Sequence, residues 1–209
     1  MRIFLFIFIF SWTALEAEDK ASIILIKGAA GTEEYEKTFN EWSAQWKEAA
    51  DKGEAKFSEA VHTEEKNQKE RLAELIQAEV NENKSPLWLV LIGHGTFDGK
   101  KAKFNLQGPD ISATELKEWL QDCKRPLVII NCASSSSPFM NALSGKNRVI
   151  ITATRSGFER NFCRLGGFLA KAIGNLEADI DKDGQTSLLE AWLAASRYSA
   201  DFYKNENRL

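Results

Sequence analysis

The sequence predicts a single α/β domain with a mainly parallel sheet and helices on both faces. Two observations carry this prediction: short, continuous apolar runs recur along the chain, and amphipathic stretches separate them. A short continuous apolar run is typical of a strand buried on both faces, as strands of parallel sheets are. Strands that alternate with helices favour a parallel sheet. The 209 residues suffice for one sizeable core but not comfortably for two, so we expect one domain over residues 18–209.

The first half of this domain is predicted as strand, helix, strand, helix. Residues 21–28 are an apolar run that ends in glycine, as a buried strand would. Thr32 stands as an N-cap before residues 33–51, in which aromatic residues recur at helical spacing. A weak alternation over residues 55–62 predicts a second strand, and residues 66–80 have the apolar face of a second surface helix.

The second half repeats the alternation, with three more buried strands. Each is a short apolar run, and the first two end in polar residues. Local turn and capping patterns mark the segments between them. The predicted elements are, in order, a strand over residues 87–92, a hairpin over 96–105, a helix that begins at the capping box of Ser112 and Glu115, strands over 127–132 and 148–153, and a helix over 167–174.

The N-terminal residues have the order of a secretory signal. Arg2 precedes an almost wholly apolar run over residues 3–12, and a small-residue site follows up to Ala17. This order predicts a signal peptide over residues 1–17. A run of ten apolar residues is too short to span a bilayer unaided. We therefore expect an exported protein, periplasmic or extracellular, without stable membrane insertion after signal removal; an uncleaved anchor is the alternative.

The distribution of charged residues indicates which classes of partner to expect. The formal net charge is -3, and lysine and arginine are interspersed with aspartate and glutamate. No basic stripe that would bind nucleic acid is visible. We expect a peptide or protein as the partner and no nucleic acid, and the pattern favours no particular oligomeric state.

Two strands end in residues that can carry chemistry. His94 stands between two glycines just beyond the strand over residues 87–92, and Cys132 ends the strand over 127–132. The carboxyl ends of parallel strands meet at the edge where ligands bind. An imidazole beside a thiol can hold it as thiolate, which suffices for acyl transfer. We therefore predict His94 as base and Cys132 as nucleophile, with the amides of Gly95 and Cys132 as oxyanion donors.

The remaining candidates have plainer interpretations. Cysteine at the end of an apolar strand is often just a small buried hydrophobe, which is the alternative for Cys132. His62 stands in a charged stretch typical of a solvated surface. Cys123 and Cys163 are expected to be structural, and a disulfide between them would leave Cys132 free.

An apolar strand that ends in His-Gly, followed after about forty residues by an apolar strand that ends in Cys, resembles the caspase-like cysteine peptidases, which include legumains, caspases and gingipains. The resemblance covers roughly residues 21–175. It implies a three-layer sandwich and an endopeptidase that works through a thioester acyl-enzyme without a cofactor. It also implies that His94 is the catalytic histidine, that Cys132 is the nucleophile, and that Gly95 and the Cys132 amide form the oxyanion hole. Arg155, Ser156 and Glu159 stand where the wall of the specificity pocket would be; the alternative, which we favour, is that they are solvated loop residues.

The sequence also departs from that family. Residues 133–137 are one alanine and four serines, where caspases and legumains typically have a glycine close behind the nucleophile, so the oxyanion loop is expected to differ in shape. Two alternatives follow. One is a catalytically inactive, caspase-like binding module stapled by calcium, and the other is a thiol transferase or transpeptidase that uses the same acyl-enzyme.

A second candidate site occupies residues 179–190. Carboxylates at loop positions 1, 3 and 5, glycine at position 6 and glutamate at position 12 match the EF-hand calcium loop. The alternative is an acidic turn that caps the helix after it. At extracellular calcium concentrations even one weak loop is filled, so we expect a structural staple. The predicted ligands are Asp179, Asp181, Asp183, the Gln185 carbonyl, Ser187 and a bidentate Glu190.

Overall fold

The computed structural model describes residues 20–80 and 84–206; the predicted signal peptide over residues 1–17 lies outside them. The strands in this part of the chain are β1 (Ser22–Lys27), β2 (Lys56–Glu59), β3 (Leu87–Ile92), β4 (Gly95–Phe97), β5 (Ala102–Phe104), β6 (Ile111–Ser112), β7 (Leu127–Asn131) and β8 (Arg148–Thr152). The helices are α1 (Glu33–Lys52), α2 (Gln68–Glu79), α3 (Ala113–Trp119), α4 (Ser137–Leu143), α5 (Leu165–Ile173) and α6 (Leu188–Asn205), with a 3₁₀ turn at Leu176–Ala178.

A five-stranded parallel sheet forms the centre of the molecule. Its strand order is β2-β1-β3-β7-β8, and every neighbouring pair is parallel. The weakly patterned second strand is therefore real, and it lies at one edge. The prediction of an α/β domain with a mainly parallel sheet is confirmed.

Helices cover both faces of this sheet. Because alternate side chains of a strand point to opposite faces, the buried residues divide into two clusters, each facing three helices. One cluster contains Leu72, Leu116 and Phe139 of α2, α3 and α4, and the other contains Trp46, Leu169 and Ala195 of α1, α5 and α6. Three layers result, as predicted. No helix in the described part of the chain is long and apolar enough to cross a membrane.

Strands β4, β5 and β6 form a small antiparallel sheet that packs onto the carboxyl ends of β1 and β3. Two glycines permit this contact. A Cβ atom on Gly28 would lie 2.2 Å from the Asn105 carbonyl oxygen, and one on Gly93 would lie 2.9 Å from the Phe104 ring. The Asn105 amide also donates to the His94 carbonyl at 3.0 Å. The hairpin therefore fixes the backbone at the His94 end of β3.

Local capping signals mostly predicted where the helices begin. Thr32 Oγ1 accepts from the Tyr35 amide, and the capping box of Ser112 and Glu115 is formed. The second helix begins later than predicted, because Asn67 and not an earlier residue supplies its cap. Helix α5 begins at Leu165, two residues before the predicted start, and this shift brings it over the end of β7.

Candidate active site

The two strand ends predicted to carry the dyad are neighbours. Strands β3 and β7 pair in a register that places Leu91 beside Asn131. The next residues, Ile92 and Cys132, both belong to the buried cluster that faces α1, α5 and α6. Cys132 and the approach to His94 therefore lie at one edge of the sheet, and the Cys132 side chain points into the layer formed by those three helices.

His94 is half-buried and held in one orientation. Its Nε2 atom lies 3.2 Å from the Ala30 carbonyl oxygen, which can only accept, so Nε2 carries the proton and Nδ1 is left as the acceptor. The rings of Tyr35 and Phe39 enclose the imidazole, with centroids 4.7 and 5.5 Å from its own. A histidine oriented by a third group with one ring nitrogen free is the arrangement of a general base.

Cys132 is buried, with 2% of its surface exposed. The backbone of Gly166 lies so close that a Cβ there would be 2.7 Å from the Cys132 Cβ and 3.0 Å from its Sγ. This burial raises the pKa of the Cys132 thiol to about 12, and the neighbouring Cys163 contributes in the same direction. In this conformation the thiol is protonated at neutral pH.

His94 and Cys132 share an aromatic environment. Phe39 contacts the His94 ring and also Trp42, with centroids 6.4 Å apart in the second pair. Trp42 in turn lies against Gly166, on the same side as Cys132. No hydrogen bond joins the His94 ring to the Cys132 thiol, both of which belong to the described residues. The structure brings the pair to one aromatic cluster but leaves the thiol covered.

The two predicted oxyanion donors already have partners. The Cys132 amide donates to the Leu91 carbonyl at 2.9 Å, which extends the β3–β7 ladder by one bond, so it is not free to donate to a substrate in this conformation. The Gly95 amide donates to Ser134 Oγ at 3.2 Å, and that hydroxyl donates back to the Gly95 carbonyl at 3.1 Å. A substrate oxygen would have to replace the Ser134 hydroxyl at Gly95.

The serine run behind Cys132 joins three strand ends, a role that the sequence did not predict. Ser134 binds Gly95 beyond β3, whereas Ser136 Oγ accepts from the Ala153 amide beyond β8 at 3.0 Å. Ser135 has a φ of +53°, the left-handed conformation that glycine adopts most readily. The loop therefore keeps a glycine-like turn without glycine, and its buried hydroxyls are hydrogen-bonded.

The disulfide between Cys123 and Cys163 that the sequence left open is not formed in the structure, in which all three described cysteines are free thiols. Cys123 packs beside the cluster that faces α2, α3 and α4. Cys163 lies near enough to Cys132 to affect its pKa, on the opposite side of the sheet. The two sulfurs are therefore separated by the sheet itself.

The residues predicted for a pocket wall form a loop docked behind the nucleophile. Glu159 Oε1 accepts from the amides of Arg155 and Ser156, at 3.2 and 3.1 Å. The Glu159 carbonyl accepts from the Ser135 amide at 2.8 Å. Arg155 itself is almost wholly solvated, with 97% of its side chain exposed. A separate cleft of about 460 Å³ lies at the carboxyl end of β1 and is lined in part by Ala30 and Phe39, the two residues that contact the His94 ring through a carbonyl and a ring.

Two contributors to the site escaped sequence reasoning. Ala30 acts through its carbonyl, which no side-chain pattern reveals. Phe162 lies 6.1 Å from the His94 ring and stacks on Trp42 at 5.4 Å. An aromatic residue beside a cysteine in a polar loop was the available signal, since such a residue has to find an apolar contact somewhere.

The acidic loop brings three of its carboxylates together. One carboxylate oxygen from each of Asp179, Asp181 and Asp183 lies within 4.8 Å of the other two. The Gly184 amide donates to Asp179 Oδ2 at 3.0 Å, so the loop turns around its first carboxylate. Glu190 accepts from amides at both ends of the loop, and these bonds lower its pKa to about 2.

Comparison with known proteins adds little. No family model matches the chain, and no curated protein matches its sequence. Among solved structures it is similar to the Drosophila initiator caspase Dronc, with 13% identity, 74% of this chain and 63% of that chain covered, and a TM-score of 0.47. The chain thus spans less than two thirds of the length of that caspase chain. A similarity this distant carries no argument about activity, and the fold is established by the strand order and the layers alone.

Proposed function

We propose that this chain is an exported cysteine endopeptidase of the caspase-like kind, with Cys132 as nucleophile and His94 as base. The observation that carries the proposal is the orientation of His94 by the Ala30 carbonyl, at the end of the strand adjacent to the one that ends at Cys132. That bond leaves Nδ1 as the proton acceptor. A base with its own orienting group beside a nucleophile is the shared logic of acyl-transfer sites.

The reaction follows from these groups. His94 Nδ1 takes the thiol proton, and the Cys132 sulfur attacks the scissile carbonyl carbon. The developing oxyanion is met by the Gly95 amide once the Ser134 hydroxyl has moved aside. Collapse of the tetrahedral intermediate breaks the C–N bond, and His94 returns the proton to the departing amine. Water, deprotonated by His94, then hydrolyses the thioester and regenerates the thiol.

An acyloxymethyl-ketone peptide probe tests this proposal. Because Cys132 is covered in the conformation seen here, the probe is applied to Phe162→Ala, which removes a ring that packs over the site. In that variant we expect Cys132 to be labelled faster than Cys123 or Cys163, because His94 lies at the end of the adjacent strand. His94→Gln should slow labelling of Cys132 by a hundredfold or more, whereas His62→Gln, a matched change in an exposed histidine, should not. Equal sluggishness at all three thiols would end the peptidase proposal.

The burial of Cys132 favours one other function, a peptide-binding module of the same fold that does not cut. A covered thiol with a raised pKa is inert until it is uncovered. Binding of a peptide that is unchanged by Cys132→Ala, with no turnover before the substitution, would decide for this module.

We also propose that residues 179–190 bind one calcium ion as a structural staple. Three solvated carboxylates within 4.8 Å of one another repel, and a divalent cation would relieve that repulsion. Hard oxygen donors are the ligands that calcium prefers. Asp179, Asp181 and Asp183 would hold the ion, with Ser187 and Glu190 from the start of α6 and the Gln185 carbonyl completing the set.

A further inference from the structure

Residues 162–167, here named the cover segment, lie over the proposed nucleophile. Phe162, at one end of the segment, stacks on Trp42 with the rings nearly parallel at 20° and lies 4.8 Å from the Tyr35 ring. Its ring also meets that of His94 at 6.1 Å. Phe162 therefore fills the space between the imidazole and the tryptophan, which a substrate would need in order to approach.

The other end of the cover segment touches the thiol itself. A Cβ on Gly166 would lie 3.0 Å from Cys132 Sγ, and one on Gly167 would lie 2.5 Å from Trp42 Nε1. Only residues without a side chain can pass this close to Cys132 and Trp42. The burial of Cys132 is therefore caused by this segment together with the tryptophan beneath it.

Arg164 fastens the middle of the segment to the C-terminal helix. Its guanidinium carbon lies 5.2 Å from the centroid of the Phe162 ring and 5.2 Å from that of Phe202 in α6. Cation–π contacts of this geometry are attractive. Within the described residues Arg164 has no carboxylate partner, so its two ring contacts are what tie Phe162 to α6. Residues 165–167 are the first turn of α5, which packs on α6 further along through Phe168.

We propose that the cover segment is an autoinhibitory cover, closed over Cys132 and fastened by Arg164 between Phe162 and Phe202. The inhibitory role of the cover segment rests on the proposed peptidase function, whereas its effect on access to the Cys132 thiol does not. In the closed state seen here Cys132 cannot reach a substrate. Release of Arg164 frees Phe162 to move and lets the first turn of α5, which contains the two glycines, unwind. That opens the space above Cys132 and beside His94.

The rate of Cys132 alkylation by iodoacetamide, followed by peptide mass spectrometry on the whole chain, measures this access. We expect Arg164→Ala to raise that rate at least tenfold over the unsubstituted protein. Arg160→Ala is the matched control, because Arg160 is an exposed arginine just before the cover segment. Cys123, far from the segment, serves as an internal reference for the intact fold. Equal Cys132 rates in the unsubstituted protein and in both arginine variants would overturn the proposal.

A second variant, Phe202→Leu, keeps the proposal testable if Arg164→Ala does not fold. Phe202→Leu keeps an apolar side chain in α6 but removes the ring under the guanidinium, so we expect a smaller acceleration at Cys132 and none at Cys123. If Arg164→Ala accelerates both thiols alike, Phe202→Leu decides, and an unchanged Cys132 rate there refutes the fastening. Faster alkylation of Cys132 without any peptide cleavage would support the autoinhibitory cover and contradict the peptidase proposal. Peptide cleavage with unchanged alkylation rates would support the peptidase proposal and contradict the cover.

Discussion

The dyad region and the acidic loop are built in opposite ways. The acidic loop takes all its groups from residues 179–190, and its carboxylates are bonded to amides a few residues away. The dyad region gathers His94, Cys132 and Ala30 from three strand ends, and a ring from residue 162 covers it. One is local, exposed and charged, and the other is assembled from distant segments, buried and aromatic. Stability should therefore depend on bound cations in the acidic loop and on packing in the dyad region.

The largest expected effect is on packing above the dyad. Trp42 is 8% exposed and stacks on Phe162, so Trp42→Ala should lower the free energy of unfolding by about 3 to 5 kcal/mol. Trp192 is 40% exposed, and Trp192→Ala should cost under about 1 kcal/mol. Urea unfolding of both variants measures the difference. Equal losses would contradict the assignment of Trp42 to a packed cover.

The next effect belongs to the acidic loop. Calcium that binds only the folded chain should raise the free energy of unfolding by about 2.7 kcal/mol at a hundred times its dissociation constant. Asp181→Asn should remove most of this gain, while Asp201→Asn, an exposed aspartate of α6, should keep it. Thermal melting with calcium and with a chelator reads out both. A gain that survives Asp181→Asn would mean that the ion binds elsewhere.

A smaller effect tests the contact between the cover segment and the nucleophile. Gly166→Ala would place a Cβ 2.7 Å from both Cys132 Cβ and Trp42 Cζ3. Overpacking of this kind should cost about 2 kcal/mol, even though alanine favours the helix. Gly174→Ala, where the new Cβ meets Ala49 at 3.4 Å, is the control and should be nearly neutral. Chemical denaturation compares the two, and a neutral Gly166→Ala would show that the segment lies more loosely than described.

The last effect is a slope in the free energy of unfolding at alkaline pH, with no change at neutral pH. The folded pKa of Cys132 is raised to about 12, above the value of about 8.5 for an exposed thiol, so the folded chain holds this proton longer than the unfolded chain. The thiol is protonated in both states below that lower value, and its contribution to stability is lost as pH rises towards 12. The loss should reach about 1.4 kcal/mol per pH unit.

Urea titrations at rising alkaline pH check this slope. The free energy of unfolding of Cys132→Ala should fall less steeply than that of the unsubstituted chain, since the substitution removes one buried titrating group. Parallel slopes would place Cys132 in contact with water. That outcome would remove the contrast between a buried dyad region and an exposed loop.

The same contrast explains what the sequence could predict. The apolar runs predicted the strands because a strand that is buried on both faces needs continuous apolar residues. The helix starts at Thr32 and Ser112 could be predicted because each cap is a contact between residues three positions apart. The position of the acidic loop could be predicted for the same reason, because the spacing of its carboxylates along the sequence determines where they lie around the turn. Even the late start of α2 had a local sign, because Asn67 with Glu70 is itself a capping box.

The parts that escaped prediction are non-local. The Ala30 carbonyl lies 64 residues from His94, and a backbone oxygen leaves no trace in composition or periodicity. Ser134 reaches Gly95 across 39 residues, so the serine run was visible but its partner was not. The Cys132 amide was predicted as an oxyanion donor, but it donates to the Leu91 carbonyl of the neighbouring strand, a partner that lies 41 positions earlier in the sequence.

The outer edge of β8 has a practical consequence for anyone who concentrates this protein. Val149 is 49% exposed, and Met140 and Trp192, each 40% exposed, flank it within an apolar groove of about 720 Å³. Within the described chain no strand pairs with this edge. Unpaired edges with apolar flanks invite aggregation, and natural proteins often guard them with lysine. Val149→Lys is accordingly the substitution of choice for a soluble sample, because it places a charge on the unpaired edge.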